Sequence, residues 1–125
     1  MINIGLTPQD FCNKNFIKDI PQDKISISES PFAGEYLQNA LMISPPNCQI
    51  WLDVINEAKK RWEHKKNTNI LYLTGPQLLS DIYQKNKNVI NALPKKLYNP
   101  DKDSSDFNDD NVITKHFCSA VWVEK

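Results

Sequence analysis

Leu41-Met42-Ile43-Ser44-Pro45-Pro46-Asn47-Cys48-Gln49-Ile50-Trp51-Leu52-Asp53-Val54-Ile55 carries the change of pattern that decides the fold class. The mostly apolar run before it stops at Pro45-Pro46, because proline has no N–H to donate and restricts the residue ahead of it. Residues 41–44 are therefore read as a short buried strand. Beyond the prolines the period changes. Trp51, Val54, Ile55, Ala58 and Trp62 fall at i, i+3, i+4, i+7 and i+11, one stripe of an amphipathic helix, with Glu57, Lys59, Lys60, Glu63 and Lys65 mostly opposite. Short strands mixed with strong helices in this way favour an α/β or α+β chain over an all-α or all-β one.

The pattern continues on both sides. Ile2-Asn3-Ile4-Gly5-Leu6 alternates like a short strand. Thr7-Pro8 reads as the cap and first position of a short helix to about Asn15. Residues 24–27 are a further strand candidate. Downstream, Thr74-Gly75-Pro76 is a tight turn and helix start, and Leu78, Leu79, Ile82 and Tyr83 continue that helix to about Lys85. Residues 89–93 are a strand stopped by Pro94, and Leu97-Tyr98-Asn99-Pro100 is a short extended piece. Residues 101–110 are acidic and poor in large apolar side chains, as in a solvated loop, and residues 112–117 form a last strand. No repeat or linker divides the 125 residues, which suffice for one domain with a core.

Charge and cysteine content exclude several classes. Fifteen basic residues balance fifteen acidic ones, so no field draws in nucleic acid or an anionic membrane. Arg61 is the sole arginine, which argues against an arginine cluster for phosphate or guanine. Cys12, Cys48 and Cys118 are widely spaced and odd in number, with no Cys-x-x-Cys, so a disulfide framework or structural zinc is not expected. The absence of an apolar run of about 18 residues predicts no transmembrane segment, and the first ten residues lack signal-peptide character. A reducing, cytoplasmic setting is expected.

Taken singly, the chemical candidates have ordinary structural readings. His64 falls on the charged helix face, and His116 alone suits a satisfied core position. Residues 101–110 lack the spacing and closing Glu of an EF-hand loop. No Ser, Cys or His sits in a nucleophile setting.

Their order says more. Tyr36-Leu37-Gln38-Asn39-Ala40-Leu41-Met42 precedes Ser44-Pro45-Pro46-Asn47 and the Trp51 helix. Leu73-Thr74-Gly75-Pro76, Leu93-Pro94, Tyr98-Asn99-Pro100, and His116 with Trp122 follow. This succession resembles the carboxy-terminal half of glycosyltransferases with a DXD-type sugar-binding region. These include fungal outer-chain mannosyltransferases and, more distantly, clostridial toxin glucosyltransferases. The resemblance implies a partial GT-A (Rossmann-like) α/β fold, truncated at its amino terminus. It implies a UDP- or GDP-sugar donor, whose leaving diphosphate is neutralised by Mn²⁺ or Mg²⁺. By the same resemblance His116 would be a metal ligand, and Asn39, Ser119 and Trp122 would lie on the substrate side. Thr74, Gly75 and Pro76 would form the turn that supports the site.

The family's Asp-x-Asp is absent. Asn3 and Gly5 stand in the equivalent strand and offer no carboxylate. Two functions remain open: a glycosyltransferase-like chain incomplete as a catalyst, or a non-catalytic remnant acting as a small α/β binding or interaction module. An exposed half-sheet would favour association with another chain.

Overall fold

The computed structural model describes residues 3–5, 11–12, 14–64 and 66–117. Its centre is a mixed sheet of β1 (Asn3–Gly5), β3 (Ile25–Glu29), β4 (Leu37–Ser44) and β5 (Ile90–Leu93), in the order β1-β4-β3-β5. A second, two-stranded sheet pairs β2 (Phe11–Cys12) with β6 (Thr114–Lys115). The helices are α1 (Gln49–His64), α2 (Ile70–Leu73), α3 (Pro76–Lys85) and α4 (Lys95–Tyr98). The chain is thus mixed α/β, as the alternation of patterns predicts.

In the main sheet β4 is antiparallel to both β1 and β3, and β3 is parallel to β5. So β1, β3 and β5 run one way and β4 runs against them. Alternation along the strands separates two cores. Ile25, Ile27, Leu37 and Ile90 pack with Ile50, Leu78, Leu79 and Ile82 under α1 and α3. Leu41, Ile43 and Leu93 pack with Ile20 and Tyr98. Full burial of such side chains contributes about 1.5–3 kcal/mol each.

The junction quoted first forms as expected. After β4, Asn47 takes a left-handed turn at φ 60°, a region Asn tolerates better than most residues. The Ser44 hydroxyl donates to the Pro45 carbonyl (2.7 Å) and accepts from the Trp51 indole N–H (2.8 Å), fixing the helix entry. At the second junction, Asn69 caps α2 by accepting from the Leu71 N–H (2.8 Å).

Four local expectations are corrected. First, α1 is rotated from its expected stripe: Ile55 and Trp62 are both 63% exposed, while Ile50, Val54 and Ala58 face the core. The buried arc also includes Arg61, only 8% exposed, which a hydrophobic count never assigns to the interior. Second, the helix expected from Thr7 to Asn15 gives way to β2 and a 3₁₀ turn at Lys14–Asp19; its remaining residues lie outside those described. Phe11 and Cys12 pair with Lys115 and Thr114, a partner about a hundred residues away that local pattern cannot see. Third, residues 97–98 are not extended but helical in α4. The Pro94 carbonyl accepts from the Leu97 and Tyr98 N–H groups, and the Glu29 carboxylate accepts from the Lys95 N–H (3.0 Å). That cap comes from a distant strand. Fourth, the last strand shortens to Thr114–Lys115, and the acidic loop contains a 3₁₀ turn at Ser105–Asn108.

Candidate functional site

The carboxyl ends of β1, β3 and β5 point to one edge of the sheet, where β4 begins. In open α/β sheets ligands bind outside such strand ends. Asn39 lies there, exposed on β4. The pairing of β3 with β4 slips at this point: Ile27 faces Met42, but Glu29 faces Leu37. Residues 38–41 of β4 therefore lie across from Ser28 alone, a bulge of the kind that re-aims side chains. The Ser28 hydroxyl donates weakly to the Gln38 carbonyl within it (3.4 Å).

Gln38 leads to the next element. Asn99, 1% exposed, donates through Nδ2 to Gln38 Oε1 (2.6 Å) and to the Glu29 carbonyl (3.0 Å). Its Oδ1 is buried with no partner among the described residues. One residue earlier, the Tyr98 carbonyl accepts from the Thr114 hydroxyl, and the Leu97 carbonyl accepts from the Ile113 N–H (2.8 Å). Consecutive residues Tyr98 and Asn99 thus join the strand that carries Asn39 to the strand that ends just before His116. His116 is half-buried.

The turn Thr74-Gly75-Pro76 reaches the same edge from the other side. The Ser80 hydroxyl donates to the Pro76 carbonyl (2.7 Å) and accepts from the N–H groups of Tyr36 (2.9 Å) and Leu37 (3.0 Å). Gly75 is required by packing and not by φ: a Cβ there would meet the Leu71 Cα at 2.9 Å. The turn is therefore scaffold.

Tyr36 and Tyr83 stack with centroids 5.1 Å apart and planes 10° apart. The Glu29 carboxylate, then Tyr83, then burial push the Tyr36 hydroxyl above its ordinary pKa. The neutral phenol is thereby favoured beside the Glu29 carboxylate. Burial, followed by Asp19, likewise raises Tyr98.

Of the residues singled out from sequence, Asn39 lies at this edge, Pro76 of the Thr74-Gly75-Pro76 turn is linked to it through Ser80, and His116 follows β6, whose Thr114 bonds to Tyr98. Ser119 and Trp122 lie outside the described residues. Asn3 and Gly5 do form a strand, paired with Ser44 and Met42. Among the described residues no group of three or more His, Cys, Asp or Glu side chains is placed to hold a metal ion. None of the helices of the described residues is long and apolar enough to cross a membrane. Glu29, Gln38, Ser80 and Asn99 were missed by pattern reading; only Glu29, closing the alternation Ile25-Ser26-Ile27-Ser28, had a local signal. Arg61, the sole guanidinium, lies within ion pairs to Glu57 (3.1 Å) and Asp81 (2.7 Å).

Comparison with protein-family models, curated proteins and solved structures found no match.

Proposed function

We propose that this chain is glycosyltransferase-like, with a GT-A-type arrangement, and that the edge built on Asn39, Tyr98-Asn99 and His116 holds the sugar end of a UDP- or GDP-sugar. The observation that supports this reading is the double tie at Tyr98-Asn99. It ties the strand that carries Asn39 to Tyr98-Asn99, and Tyr98 in turn to the strand that ends just before His116, near the carboxyl ends of the strands. The exposed Asn39 amide can donate to one sugar hydroxyl and accept from another. His116 adds an imidazole near the same junction, and Ser119 and Trp122 follow it in the chain.

A divalent Mn²⁺ or Mg²⁺ would supply charge neutralisation to the leaving diphosphate. The described residues do not fit such an ion by themselves, since Asn3 and Gly5 bring no carboxylate to β1. The role proposed for this chain is therefore to position the sugar, not to activate the diphosphate. The same departure favours a second reading, a binding module without catalysis.

Thermal unfolding with UDP- and GDP-sugars, with and without Mn²⁺, tests the proposal. A donor at 100 times its Kd adds about 2.7 kcal/mol of stability. Asn39→Ala should remove most of that gain. No stabilisation by any donor would overturn the proposal, and stabilisation without release of UDP or GDP would favour the binding module.

A further inference from the structure

Tyr36 combines exposure with restraint. It is 43% exposed, yet contacts from two elements, α3 and β3, fix it. Its N–H donates to Ser80 of α3, its ring stacks on Tyr83 of the same helix, and the residue that follows it, Leu37, pairs with Glu29 at the end of β3, whose carboxylate charge raises the Tyr36 hydroxyl pKa. Glu29 is held in turn by the Lys95 N–H. Tyr83 covers one face of the ring, and the exposure belongs to the rest. A surface aromatic held in this way loses little conformational freedom when a ligand packs on it.

We propose that Tyr36, backed by Tyr83 and flanked by Glu29, is a docking platform for a neutral hexopyranose ring. If the donor reading above holds, this ring belongs to the acceptor. The C–H groups on one face of a pyranose carry slight positive charge and suit the electron-rich face of a phenol ring. The Glu29 carboxylate has lone pairs left to accept sugar hydroxyls. Asn39, exposed two residues beyond Leu37, the pairing partner of Glu29, offers an amide on the same stretch of chain. Charge selects against a nucleotide at this spot. The adjacent carboxylate repels phosphate, and the sole arginine is buried in ion pairs elsewhere. A nucleobase could stack on the ring, but its phosphates would find no guanidinium to receive them.

The test is an amide and aromatic NMR titration of the full chain. The probes are methyl glycosides of mannose, glucose and galactose and their α-linked disaccharides, with UMP and GMP in parallel. Concentrations reach about 50 mM, since a contact of a few kcal/mol corresponds to millimolar binding. At least one neutral sugar should shift Glu29, Tyr36 and Tyr83. Tyr36→Ala should weaken it about tenfold, equivalent to about 1.4 kcal/mol. Tyr36→Phe, which keeps the ring, should stay within about threefold, under 0.7 kcal/mol on the same scale. The platform is refuted if no sugar moves these signals, if Tyr36→Ala binds as the wild type does, or if nucleotides shift them while sugars do not. Should Tyr36→Ala fail to fold, the wild-type shift map decides alone. Donors that stabilise the chain while sugars leave Tyr36 unmoved would remove only the platform. Sugars that bind at Tyr36 without any donor effect would remove only the donor reading.

Discussion

Arg61 joins three helices. From α1 its Nε donates to Glu57 (3.1 Å), its Nη1 to the Tyr72 carbonyl of α2 (2.7 Å) and its Nη2 to Asp81 of α3 (2.7 Å), while its guanidinium lies 4.2 Å from the centre of the Tyr72 ring. Burial alone would lower its pKa, but the hydrogen bonds to Asp81 and Glu57 and the charge of Asp81 outweigh it and hold the group above its ordinary value. Removing one partner of a fully buried ion pair costs about 3–5 kcal/mol. The partners here are less enclosed: the Glu57 and Asp81 side chains are 28% and 53% exposed, so both recover water when the cation goes. The Tyr72 carbonyl loses a charge-assisted bond, at about 1.5–3 kcal/mol before rehydration. Arg61→Ala should therefore destabilise by about 2–3 kcal/mol, and Arg61→Met, which keeps the apolar stem, by about 1–2 kcal/mol. At this chain length about 4 °C of Tm accompanies each kcal/mol, so the alanine variant should melt about 8–12 °C lower. Urea and thermal unfolding measure both. Adding Asp81→Asn should cost about 1 kcal/mol in the wild type and close to nothing beside Arg61→Met. A loss under about 0.5 kcal/mol for Arg61→Ala, or a methionine variant weaker than the alanine one, would refute the account.

Two further outcomes test the fold and the tyrosines. Ile50→Ala should cost about 2–5 kcal/mol and Ile55→Lys less than about 0.5 kcal/mol, as read by urea unfolding; the reverse order would restore the stripe first read from sequence. Tyr36 and Tyr98 both titrate above their ordinary value of 10.0. Folding therefore favours their neutral forms. That contribution is complete below the unfolded tyrosine pKa of about 10 and is lost as pH rises through the folded values. Stability should decline above about pH 10, and an ultraviolet titration of Tyr36→Phe should lack one late-ionising tyrosine. A wild type whose tyrosines all ionise at or below the free value would contradict the Glu29 contact.

What the sequence revealed follows from the range of the forces. The Pro45-Pro46 stop, the Pro76 start and the strand at Ile90–Leu93 are set by residues within a turn of one another, and all stand as expected. Errors fell where a distant residue decides. Glu29 caps α4 across the sheet, β6 captures Phe11 and Cys12, and Asp81 draws Arg61 into the arc of α1 that the hydrophobic pattern had left to apolar side chains. Local pattern marks a strand only over residues 41–44; that β4 begins at Leu37 and so carries Asn39, and that its register slips there, depends on the facing strand.

The same division bears on function. Ser80, Asn99, Glu29 and Arg61 are polar groups that each tie elements remote in sequence, and three of them converge on the strand ends that carry Asn39. Buried or partly buried polar ties contribute little net stability, because each gives up water to form. An apolar contact of similar volume would stabilise the same junctions at least as well. Polar ties add direction: Ser80 fixes the Tyr36 backbone at hydrogen-bond length, and Asn99 accepts no slippage of Gln38 against Glu29 without leaving a buried donor unpaired. The clustering of Ser80, Asn99 and Glu29 at one sheet edge, against the apolar packing of the two cores, is the arrangement that the proposed ligand-holding surface would require. Tyr36 is both restrained and exposed, a combination that packing alone does not require.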